Sequence, residues 1–146
     1  MKRHPHLQPL SDDHHAALVL ARRMRRVVAE AANPADLAKT WEGARASFVQ
    51  ELDPHFRAEE AWLFPPLAAA GETVLVERAV AHHRRLRELI GSAPEPERAV
   101  AFGELLHRHV RFEERELFPR AEAVLDLPVL EAAGRAALAA RTGTRN

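Results

Sequence analysis

The sequence contains no cysteine and no tyrosine, few glycines, and no excess of charge of either sign. Without cysteine there can be no disulfide, no thiolate metal site and no cysteine nucleophile, and the absence fits a reducing compartment. Twenty-one Lys and Arg balance 21 Asp and Glu, so nothing points to nucleic acid or to an anionic membrane as a partner. The basic run Arg22-Arg23-Met24-Arg25-Arg26 is local and reads as a solvated helix face. No apolar run approaches the roughly 20 residues of a membrane span. The start, Met1-Lys2-Arg3-His4-Pro5-His6, lacks the apolar core of a signal peptide. The chain is therefore expected to be soluble and cytoplasmic.

What is present is a helix-forming composition dominated by Ala, Leu, Glu and Arg. At 146 residues the chain is expected to be a single domain with a real core. Ser11-Asp12-Asp13 offers N-cap chemistry for a first helix with a stripe of Leu10, Ala17, Ala21, Met24 and Val28. Asn33-Pro34-Ala35-Asp36 reads as the start of a second, with Asn as cap and Pro in the first turn. That helix runs through Trp41, Phe48, Leu52, His55 and Trp62 until Pro65-Pro66 is expected to stop it. After Gly71 a third helix carries Val76, Ala79, Val80, His83, Leu86 and Ile90 and closes at Gly91. A fourth carries Phe102, Leu105, Leu106, His109 and Phe112 to about Phe118-Pro119, and Pro128 opens a short fifth. The expected fold is all-α, an up-down-up-down four-helix bundle with a short C-terminal helix. The bundle core covers about residues 7–120, and 121–146 form an extension.

There are nine histidines, several of them placed within these stripes rather than in one run. Residues 55–65 and 109–119 share the skeleton H-x-R-x-E-E-x-x-L-F-P, on helices two and four. A His and a Glu four residues apart lie on one helix face, about 5–6 Å between Cβ atoms, and can aim at one point. Imidazole suits iron, zinc, copper and nickel, and a carboxylate can bridge two ions. His55 and Glu59 fall on an apolar side with Leu52 and Trp62, where an ionised Glu is costly without a cation; His109 and Glu113 face the same cost. Either pair alone reads as a helical hydrogen bond. Repeated in one frame on two helices, they read as a metal clasp. The doublets His14-His15 and His82-His83 each send one ring inward by the same periodicity, His14 and His83. His15, His82 and His107 are then flanking residues, and Asp13 is placed to orient His14.

With these residues in place, the chain resembles the hemerythrin-like, or HHE cation-binding, family. The resemblance rests on Asp13-His14, on His55-x-x-x-Glu59-Glu60 with Leu63-Phe64-Pro65, on His82-His83-x-x-Leu86, and on His109-x-x-x-Glu113-Glu114 with Leu117-Phe118-Pro119. It implies a four-helix bundle holding two non-haem iron ions, bridged by Glu59, Glu113 and an oxo or hydroxo group. His14, His55, His83 and His109 would be the terminal ligands. Oxygen-carrying members have a further His four residues after the first on helix three; here that position is Arg87, which cannot ligate a cation. Glu60 or Glu114 would have to supply a compensating oxygen, or Arg87 would pair with one of them.

The resemblance implies a protein that binds O2, peroxide or NO, with a role in oxidative-stress or iron and oxygen response. Three alternatives stand beside it: a catalase- or peroxidase-like enzyme, a zinc-loaded module without redox chemistry, and an interaction bundle with no metal. The last must hold four His and two Glu in a dry core, against the usual coupling of metal binding to folding. The expected partner is a small diatomic or peroxide ligand, the chain being a monomer or weak homo-oligomer.

Overall fold

A computed structural model describes residues 2–30 and 33–144, and among these every regular element is helical. We number five helices. Helix α1 is Gln8–Glu30, α2 spans 34–69, α3 is Thr73–Ile90, α4 spans 96–124 and α5 is Leu127–Thr144. Short connections make α1 to α4 run up, down, up and down. No helix among the described residues is long and apolar enough to cross a membrane.

Helix α1 begins at Gln8, ahead of the expected cap, because Ser11 has other work: its hydroxyl donates to Glu114 Oε2 at 2.8 Å. Its buried stripe ends on Val27 rather than Val28, which is exposed. Helix α2 starts as its sequence suggests, with Asn33 Oδ1 accepting from the Asp36 N–H at 3.1 Å and Pro34 in the first turn.

The expected stops at Pro65-Pro66 and Phe118-Pro119 do not occur. Helix α2 continues to Ala69 and α4 to Val124. A proline inside a helix withholds an N–H and pushes on the carbonyl four residues back. Here each such proline follows a wide π turn: Phe48–Leu52 before Pro54, Glu59–Leu63 before Pro65, and Glu113–Leu117 before Pro119. In each case the residue preceding the proline (Asp53, Phe64 and Phe118) donates to the carbonyl five residues back, on Phe48, Glu59 and Glu113. The wider turn takes up the misfit, as π bulges do within helices. It also re-aims side chains. Trp62, expected on the apolar side, is 54% exposed, and Leu63 is buried in its place.

Two apolar clusters fill the bundle. One gathers Met24, Trp41, Phe48, Phe56, Leu86 and Phe102. The other gathers Leu10, Leu63, Phe64, Phe112, Leu117 and Phe118, with Leu130, Ala133 and Ala137 of α5. Helix α5 is 18 residues long, packs against α1 and the middle of α2, and so closes the second cluster.

Helices α1 and α4 pack closely enough to require glycine at 103. A Cβ there would stand 2.7 Å from the Ala21 carbonyl oxygen and 2.9 Å from the Arg25 nitrogen.

Candidate metal centre

Among the described residues, the buried polar or charged ones are His14, His55, Glu59, His83, His109 and Glu113, between 0 and 4% exposed. They form one layer between the two clusters. On α1 the chain passes from Leu10 in one cluster through His14 to Ala17 in the other, and on α3 from Ala79 through His83 to Leu86. Helical spacing carries each ring inward here, and the structure brings together all six residues singled out in the sequence.

They form two groups sharing both carboxylates. His14, His55, Glu59 and Glu113 make one, and Glu59, His83, His109 and Glu113 the other. In each, one ligand atom per residue lies within 4.8 Å of all the others. The helical pairs are open in the same way: His55 Nε2 to Glu59 Oε2 and His109 Nε2 to Glu113 Oε1 are both 3.5 Å. Across the bundle His14 Nε2 lies 2.9 Å from Glu113 Oε1, and His83 Nε2 3.1 Å from Glu59 Oε1.

The donor set fits a cation. His55 Nε2, both oxygens of Glu59 and Glu113 Oε2 are buried without a hydrogen-bond partner, a cost native interiors avoid. The Nε2 atoms of His83 and His109 face each other at 3.2 Å, so two lone pairs converge unless a proton or metal stands between them. Imidazole nitrogen and carboxylate oxygen are donors suited to iron or zinc.

Each ring is held from behind through Nδ1. His14 Nδ1 lies 2.6 Å from Glu114 Oε2, His55 Nδ1 2.9 Å from Asp13 Oδ2, and His83 Nδ1 2.7 Å from Glu60 Oε2. An ionised carboxylate only accepts, so these rings carry the proton on Nδ1 and turn Nε2 to the centre. His109 Nδ1 instead meets His82 Nδ1 at 3.0 Å. Rings lock the orientation further: Phe56 stacks on His83 with centroids 3.8 Å apart, and Phe118 lies parallel to His14.

Asp13 thus orients His55 on the neighbouring helix rather than His14, the ring beside it in sequence. One step along α1 points Asp13 away from its neighbour's target. Glu60 and Glu114 are spent on Nδ1 atoms and offer no compensating oxygen. Arg87 does pair with Glu60, Nη1 to Oε2 at 2.8 Å, and also with Asp53, Nε to Oδ1 at 2.7 Å. His15 is exposed, and His107 accepts from Arg111 Nε at 3.2 Å, away from the centre.

Sequence reasoning missed two arginines. Arg3 donates to the Glu114 carbonyl at 2.8 Å and to Glu114 Oε1 at 3.3 Å, and Arg141 Nε donates to Asp13 Oδ1 at 2.7 Å. Both lie far in sequence from their acids, and nothing in local spacing marks them. Arg3 and the His4 N–H also bind Glu122, which pins the N-terminal segment to α4.

Protons balance these charges unevenly. Burial disfavours the charged ring of His14, but hydrogen bonds with Glu113 and Glu114 outweigh it and push it up to about 9. Burial likewise opposes His55, which Glu59 and Asp13 push up to about 10. Burial would raise Glu59, but the charge of the His55 ring beside it holds it well below the carboxylate range. Glu113 is pushed up, by burial and by the neighbouring Glu59 charge. His109 is driven well below the usual imidazole range, by burial first and by the nearby His83, His14 and His82 charges.

A cavity of about 710 Å³ opens between α1, α2 and α5, lined by Ala17, Leu20, Leu52 and Ala137. Asp13, His55 and Arg141 also line it.

Residues 5–121 match a family model described as the hemerythrin HHE cation binding domain. No curated protein and no solved structure matches the chain.

Proposed function

Because the chain belongs to the hemerythrin HHE cation-binding family, we propose that it is a non-haem di-iron protein that binds O2, peroxide or NO in an oxidative-stress or iron and oxygen response. His14, His55, His83 and His109 would serve as terminal ligands, and Glu59 and Glu113 would be shared between the two ions. The observation that supports this best is the pair of four-residue groups sharing both carboxylates. Sharing suits two ions, because carboxylates common to both groups would offset charge at both. Iron bound there would supply redox chemistry and a position for a small ligand. The chain's own residues fix the six donor atoms, hold protons on the outward ring nitrogens and exclude bulk water with Phe56, Phe64 and Phe118. We place the family domain at about residues 7–120, with 121–146 as an extension of the same unit, in a cytoplasmic protein.

Protein expressed aerobically with added iron, and purified without a chelating resin, is expected to carry about two irons per chain and to absorb in the near ultraviolet. Metal analysis finding no iron would reject the reading. Zinc in both positions would favour a non-redox module instead.

One observation favours a second reading, peroxide consumption. Arg87 stands at the position of the additional family His and is engaged with Glu60 and Asp53. The His83–His109 group therefore has only two histidines, leaving more of an ion's coordination to water or peroxide. Disproportionation of two peroxides to two waters and O2 needs no outside reductant. It should vanish in Glu59→Ala and His109→Ala, and a wild-type rate no greater than that of free iron would exclude it.

A further inference from the structure

The centre has an approximate two-fold repeat that relates α1 and α2 to α3 and α4. It matches His14 with His83, His55 with His109, Glu59 with Glu113, and Glu60 with Glu114. The residue preceding the inward ring of the first helix supports the ring of the second: Asp13 supports His55, and His82 supports His109. The repeat breaks at this last pair.

Three of the four rings end in a chain of imidazole, carboxylate and guanidinium. His14 leads to Glu114 and Arg3, His55 to Asp13 and Arg141, and His83 to Glu60 and Arg87. His109 leads only to His82, which makes no hydrogen bond or ion pair to a carboxylate among the described residues. For His109 to present Nε2 to an ion, its Nδ1–H must donate to His82 Nδ1. The acceptor is then a neutral nitrogen rather than an anion.

We infer that the two metal positions are unequal, the one between His14 and His55 holding its ion more tightly than the one between His83 and His109. This rests on the dinuclear reading above. A carboxylate behind a ligating imidazole draws on the Nδ1 proton, raises the electron density at Nε2 and fixes the ring. The first position has two such carboxylates, Glu114 and Asp13, and the second has only Glu60. Both positions share Glu59 and Glu113, so the bridges do not cancel the difference. Removing one outer partner of a metal-bound His costs about 10–100-fold in affinity, which sets the expected gap. His82 is the residue that makes the second ion exchangeable. It acts through His109 and is a positioning residue.

The test uses Zn2+ alone on the full chain stripped of metal. With one equivalent added before crystallisation, anomalous scattering at the zinc edge is expected to lie mainly between His14 and His55. With two equivalents, release to a chelator should show two phases, about 10–100-fold apart in rate. Asp13→His gives both halves the same ring-to-ring support and should merge the phases. Equal or reversed anomalous density at one equivalent overturns the inference, whether or not that variant folds. Two unchanged phases in folded Asp13→His would also overturn it. A chain that saturates with a single ion rejects the dinuclear reading and takes this inference with it, whereas two ions of equal tightness reject the inference alone.

Discussion

His14 stands between Glu113 at 2.9 Å and Glu114 at 2.6 Å, and His55 between Glu59 and Asp13. Such brackets let protons balance the carboxylates when no cation does. They also set a pH dependence. His14 and His55 are pushed from the usual 6.5 up to about 9 and about 10. Between those limits the folded chain holds protons that the unfolded chain has released, so alkali favours unfolding. The stability these rings contribute is complete below about 6.5 and is lost as pH rises through about 9 to 10. The urea midpoint of metal-stripped protein should therefore fall steadily from pH 7 to 10. A flat midpoint across that range would contradict the brackets. Metal-loaded protein should fall less, because an ion replaces the protons.

The helices carry two adjustments that sequence periodicity does not show. One is the π turn ahead of interior prolines, which before Pro65 and Pro119 opens at Glu59 and at Glu113, the two shared carboxylates. The repeated L-F-P that looked like a stop signal is instead where the helix widens and goes on. The other is the close crossing of α1 and α4 at Gly103. Alanine there would add about 1 kcal/mol of helix propensity. Its Cβ, however, meets backbone atoms of Ala21 and Arg25 below 3 Å, and these cannot yield without parting the helices. Overpacking of that kind costs about 1–3 kcal/mol, so Gly103→Ala should be destabilising on balance, as a lowered urea midpoint. A midpoint at or above wild type would contradict so close a crossing.

The polar layer divides the apolar interior into two clusters, so neither end of the bundle stands without the other. Helix α5 lies outside the matched segment 5–121, yet it supplies Leu130, Ala133 and Ala137 to one cluster and Arg141 to Asp13. Truncation after residue 126 should expose the α1 and α2 surfaces that α5 covers and leave Asp13 without that guanidinium. Losing Leu130 and its neighbours should remove at least about 3 kcal/mol of burial, which corresponds to a fall of about 10 °C in melting temperature. Chelator release should also quicken at the His14–His55 position. An unchanged melting temperature would show that α5 is a passive appendage.

The sequence by itself determined the number of helices, their order, and the six inward residues, though not where the helices end. Those rest on local rules: a period of 3.6 residues, a cap at Asn33, and a charge at His55 or Glu59 that an apolar face cannot bear alone. The family was legible for the same reason, since its motif lies within single helices. Only the tertiary structure decided what stands behind the inward rings. Asp13 reaches His55, Glu114 reaches His14, and Arg3 and Arg141 reach their acids across more than 100 residues of chain. Such pairings depend on how helices are set side by side, which helical spacing does not encode. The difference between Asp13 and His82, one residue ahead of equivalent rings, was visible in the sequence as two letters. Its meaning required knowing which ring each one touches.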